Sequence, residues 1–120
     1  MIRSGNLFAG VPARGPDEEA SVVAARPGAF VERIVSTGQA SPPGFWYDQG
    51  WAEWVVVLAG AARLRIEGES TARELRPGDH LELASHVRHR VEWTDPDRAT
   101  VWLAVHWKDL EAPSAAASPA

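Results

Sequence analysis

The stretch "GFWYDQGWAEWVVVLAG", Gly44 to Gly60, decides how this chain folds, because it sets two carboxylates among aromatics directly ahead of an apolar run. In "EWVVVLAG" the alternation of a strand puts Glu53, Val55 and Val57 on one face. If the valines point into a core, Glu53 goes with them. An ionised carboxylate inside a fold is costly unless something pairs with it. Glu53 therefore either faces an interior partner or sits at a barrel mouth, in water or against an arginine such as Arg63, Arg65 or Arg90. Read as a strand, "FWYDQ" places Trp46 and Asp48 on one face and Phe45, Tyr47 and Gln49 on the other.

Working outward, the chain reads as strand and turn. "AFVERIVS" alternates as a half-buried strand, and "GQASPPG" is a loop whose prolines cannot join a ladder. After the opening stretch come "AARLRIEG", "ARELRPGD", "HLELAS", "HRVEWTD" and "TVWLAVHW", each bounded by Gly, Pro, Asp or charged turns. Short strands at such spacing, without helical crossovers, predict an all-β fold, an antiparallel β-barrel or jelly roll. Ahead of them, "GPDEEASVVAA" has a proline and acids before an apolar stretch, which predicts a short N-terminal helix stopped by "RPG" at Arg26 to Gly28. The expected organisation is one domain: helix and leading strand over 1–37, the barrel over 38–110, and a disordered Ala/Ser/Pro tail over 111–120.

Composition narrows the function. A chain of 120 residues is one domain's worth. Its net charge of -4 and lack of a basic block argue against nucleic acid as a partner. The absence of cysteine excludes disulfides, thiolate metal sites and cysteine nucleophiles. The longest apolar run is far shorter than the roughly 20 residues that span a bilayer, and the N-terminus has no apolar core of signal length. A cytoplasmic protein with no membrane partner is expected.

"PGDHLELASHVRHRVEW" supplies candidate partners for Glu53. Leu81 and Leu83 point inward, which leaves His80 in the opposite phase as a structural residue. His86 and His89 converge only if "ASHVRH" turns. Beyond that turn His89, Val91 and Trp93 share a face, and in the last strand His106 shares one with Trp102 and Ala104.

These residues give the chain a resemblance to the cupins, spanning roughly Gly38 to Trp107. The first cupin motif, G-x5-H-x-H-x(3,4)-E-x6-G, is matched in its second half by Glu53 and Gly60. The second, G-x5-P-x-G-x2-H, is matched by Gly78 and His89, with Ala84 in place of the proline and His86 in place of the second glycine. "SPPGFWYDQ", "PGD" and "HRVEWTDP" are similar to a bacterial subgroup of small cupins. The two histidines of the first motif are replaced by Trp46 and Asp48, and the indole nitrogen, a donor only, ligates nothing.

What the resemblance implies is a divalent metal, Fe, Mn, Zn or Ni, held by Asp48, Glu53, His86 and His89. Beside it, a small polar metabolite is expected against Trp46, Trp93, Trp102 and His106. Asp48 serves either as a ligand or as an orienter of one. Either a metal-dependent dioxygenase, isomerase or lyase, or a non-enzymatic binding or sensor module, accords with this. Trp51, expected in a loop, and the outward face of Trp54, Val56 and Leu58 predict a homodimer interface.

Overall fold

The computed structural model describes residues 1–108, so the expected tail lies outside the described residues. Eight strands form two antiparallel sheets: β1 Glu19–Arg26, β2 Ala29–Ser36, β3 Trp51–Ala59, β4 Ala62–Ile66, β5 Arg73–Leu75, β6 His80–Leu83, β7 His89–Thr94 and β8 Thr100–Lys108. The larger sheet runs β1-β2-β8-β3-β6 and the smaller β5-β4-β7. The six segments from "EWVVVLAG" to "TVWLAVHW" each become a strand. Val55, Val57, Leu64, Leu75, Trp102 and Ala104 make the core between the sheets. Burying these inner faces is the main driving force for closing the two layers.

Among the described residues there is no helix, and so none long and apolar enough to cross a membrane. The expected N-terminal helix is instead β1, paired with β2 from Glu19↔Val35 to Arg26↔Ala29. The reason lies in "RPG". Pro27 and Gly28, the latter at φ +80°, form a two-residue hairpin turn, which commits the chain before it to pair with the strand after it. The acids ahead of β1 suit a helix start locally. The neighbouring strand's open edge decides otherwise.

"FWYDQ" is a second correction. It is a loop that touches the sheet once, where Tyr47 bridges His89 through Tyr47 N–H to His89 O (2.7 Å) and His89 N–H to Tyr47 O (3.1 Å). Gly60, the motif glycine, has φ +83° and turns β3 into β4. A Cβ there would fall 2.5 Å from Thr100 Oγ1 and 2.7 Å from the Ala99 carbonyl oxygen. The N-terminal segment crosses the outside of the large sheet, held where Arg33 Nη1 donates to the carbonyls of Leu7 (3.1 Å) and Ala9 (2.6 Å).

Candidate functional site

A cavity of about 160 Å³ opens between the sheets. Its apolar wall includes Val55, Leu64, Leu83 and Trp102, and its polar groups are Glu18, Glu32, Tyr47, Gln49, Glu53, His89 and His106. Strand alternation places most of them. Glu53 follows Val55 and Val57 inward on β3, and His106 follows Ala104 and Trp102 inward on β8, where the two stand directly opposite in register. Glu32 comes inward with Ile34 on β2.

The polar groups form a chain across the two sheets. His106 Nε2 lies 3.0 Å from Glu32 Oε1 and 4.0 Å from Glu53 Oε2, while His89 Nε2 lies 3.5 Å from Glu53 Oε1. Glu53 and His89 are 8 % and 6 % exposed. His89 Nδ1 is 2.8 Å from the Val87 carbonyl, which can only accept, so Nδ1 carries the proton and Nε2 faces the cavity. The ring stacks on Tyr47 at 5.4 Å, and His106 stacks on Phe30 at 4.4 Å. Trp102 Nε1 donates to Ser36 Oγ at 3.1 Å.

The field of these carboxylates is felt by their neighbours. Burial pushes the His89 imidazole down, but the Glu53 carboxylate and the Val87 carbonyl together outweigh it, and its pKa stands above the ordinary 6.5. Burial, and after it the proximity of Glu32, holds Glu18 above the usual carboxylate range against a hydrogen bond from Ser36. Tyr47 is raised first by burial and then by Glu18, Glu53 and Glu32.

The residues expected from sequence divide into two groups. Glu53, His89, Trp102 and His106 face the cavity. Asp48 and His86 do not line it: they pair with each other at 2.7 Å, with side chains 47 % and 70 % exposed. Trp46 lies under the guanidinium groups of Arg88 and Arg90, and Trp93 under Arg63. Two local irregularities cause this. The "FWYDQ" loop turns Tyr47 and Gln49 inward, the phase opposite to that expected, so Trp46 and Asp48 face away. In β7 the register slips: Leu64 pairs with Val91 but Arg63 with Trp93, leaving Glu92 as an extra residue. The bulge reverses the phase, burying Thr94 in place of Trp93. His86 has φ +64°, a left-handed conformation, at the position where the resembling motif has glycine.

None of the three candidate arginines pairs with Glu53: Arg63 covers Trp93, Arg65 binds Glu92, and Arg90 donates to the Ser41 carbonyl. Trp51 is the first residue of β3, not a loop residue, and meets the Phe30 ring edge-on at 5.5 Å. Glu18, Glu32, Tyr47 and Gln49 are additions that the sequence reading missed. Glu32 carried a usable signal, since it alternates with Phe30 and Ile34 as Glu53 does with its valines. Glu18, ahead of its strand, carried none.

The four residues expected to ligate a metal do not fit one. Two of them contact each other outside the cavity, and among the described residues no three His, Cys, Asp or Glu are grouped to hold an ion.

An antiparallel two-sheet jelly roll enclosing a polar cavity defines a class of small binding and catalytic domains. The chain belongs to the cupin family: the family's Cupin domain model matches residues 32–106. A structure from Ralstonia eutropha JMP134, provisionally named a mannose-6-phosphate isomerase, is 52 % identical, with a TM-score of 0.89 over 90 % of this chain and 100 % of that one. A cupin superfamily protein from Desulfitobacterium hafniense DCB-2 (15 % identity, TM-score 0.67, 82 % of this chain and 84 % of that one) shares the fold. So does KdgF from Halomonas sp. (21 %, 0.65, 81 % and 85 %). A search of curated proteins found no match.

Proposed function

We propose that this cupin takes a small polar molecule into the cavity between its sheets, and that Glu53 and His89 move a proton on it. The observation that carries this reading is the buried pair itself, an acid and an imidazole with Nε2 and Oε1 both turned to the cavity. The reaction class is isomerisation. Glu53 takes a proton from a carbon next to a carbonyl, protonated His89 donates to the carbonyl oxygen, and the reverse transfers at the neighbouring carbon complete the shift. The Ralstonia protein's name points to the same class of reaction. Among the described residues the donors are not arranged for a metal.

The test is proton exchange in heavy water with a panel of small aldoses, ketoses and oxo acids. Wild type is expected to exchange deuterium into a bound carbonyl compound at the adjacent carbon, and Glu53→Gln is expected to lose this while still binding. Tight binding with no exchange in wild type hands the site to the reading as a non-enzymatic sensor module.

The same proposal includes a homodimer. Its support is apolar surface left open on the large sheet, where Trp54 and Leu58 are only half-buried and Val23 on β1 is exposed.

A further inference from the structure

We infer that the molecule this cavity takes is a small organic cation, an amine in preference to a phosphate or a carboxylate. The inference rests on the cavity being the functional site, and it adds a charge selection to that reading. Three carboxylates converge on the cavity from separate parts of the chain: Glu18 ahead of β1, Glu32 on β2 and Glu53 on β3. Among the described residues that line it there is no lysine and no arginine. Three carboxyl groups thus stand against two imidazoles in the lining.

The arginines of the same strands are committed elsewhere. Arg33 on β2 holds the N-terminal segment, and Arg90 on β7 holds the Ser41 carbonyl and covers Trp46. A phosphate entering here would meet like charges with no fixed cation to bind it, and phosphate recognition rests on such cations.

A second observation points to a positively charged donor. The Glu53 side chain is 11 % exposed and faces the cavity, and among the described residues its nearest side-chain donor is the His89 nitrogen at 3.5 Å. A largely buried carboxylate whose contacts to donors are this long has room for a closer one, and an ammonium group in the cavity supplies both the charge and the hydrogen bonds. Tyr47 and Trp102 add aromatic surface of the kind that favours cations. The cavity is smaller than the roughly 300–1,000 Å³ of drug-sized sites, so the amine is small.

The experiment follows the ring signals of His89 and His106 by NMR, with chelator present, as matched probes are titrated. One set is ethanolamine, ethylene glycol and glycolate; the other is mannosamine, mannose and mannose 6-phosphate. At least one amine is expected to bind ten-fold or more tightly than its neutral partner, with the anion weakest. Glu18→Gln and Glu32→Gln are each expected to shrink that preference about three-fold or more. Binding of glycolate or mannose 6-phosphate as tight as that of the amines, or equal binding of all charges, overturns the inference while leaving the cavity as the site. If no probe of any charge moves either histidine, the functional reading of the cavity falls as well.

Discussion

At the scale of single residues, His89 gives the protein a pH dependence whose sign follows from its raised pKa. A histidine that is easier to protonate when folded stabilises the fold fully below its unfolded pKa, near 6.5, and loses that contribution as pH rises through the folded value. The melting temperature should therefore fall as pH is raised from 6.5 through the neutral range. Glu53→Gln, which removes the attracting charge, should flatten that part of the curve in a thermal melt. A slope unchanged by the substitution would show that another group sets it. His86 makes a different point. Its left-handed φ strains any residue with a Cβ by about 1–2 kcal/mol, while its hydrogen bond with Asp48 is exposed and contributes little. His86→Gly should accordingly melt at least as high as His86→Ala and leave the cavity's ligand binding unchanged. A large loss of binding in His86→Gly would return this residue to the site. The second cupin motif was thus legible at this position as backbone geometry. The histidine found there was read as a ligand because spacing reports a position in the chain and is silent on where a ring turns.

At the scale of elements, the strands were legible where apolar, β-rich runs are bounded by turn residues, as in β3 and β8. Alternation then gives which residues share a face, and Glu53, Trp102 and His106 lie on the side that lines the cavity. It failed in "FWYDQ", where both faces mix aromatic and polar residues, and in β7, where one extra residue, Glu92, reverses the phase. It failed at β1 because a helix signal in the local chain lost to pairing across the Pro27-Gly28 turn. The β3–β4 connection offers a direct test of what holds the two sheets together. Gly60→Ala adds a Cβ within 2.7 Å of Thr100 and the Ala99 carbonyl, at a φ that L residues avoid, so a loss of roughly 2 kcal/mol or more is expected by chemical denaturation. A loss below about 0.5 kcal/mol would mean that the hairpin shifts freely, and that the motif glycine is not what sets the close approach of the β3–β4 turn to the start of β8.

At the scale of the whole molecule, the outward faces decide assembly. Val56 is buried within the single chain, but Trp54 beside His80 and Val23 of β1 are not, so light scattering at high micromolar concentration should give the mass of a homodimer. A monomer there would mean that this surface stays in water. β1 also has a consequence of another kind. It is an edge strand with one neighbour, all eight of its residues are exposed, and Ala20 within it and Glu18 just before it form part of the cavity wall. The wall nearest those carboxylates is therefore also the part of the sheet with least to lose by peeling away, since local opening costs least where few apolar contacts are broken. Amide hydrogens of Glu19 to Arg26 should exchange with solvent well before those of β3 and β8, and a ligand that bridges Glu18 to Glu53 should slow them selectively. Occupancy of the cavity then becomes readable as the lifetime of one strand.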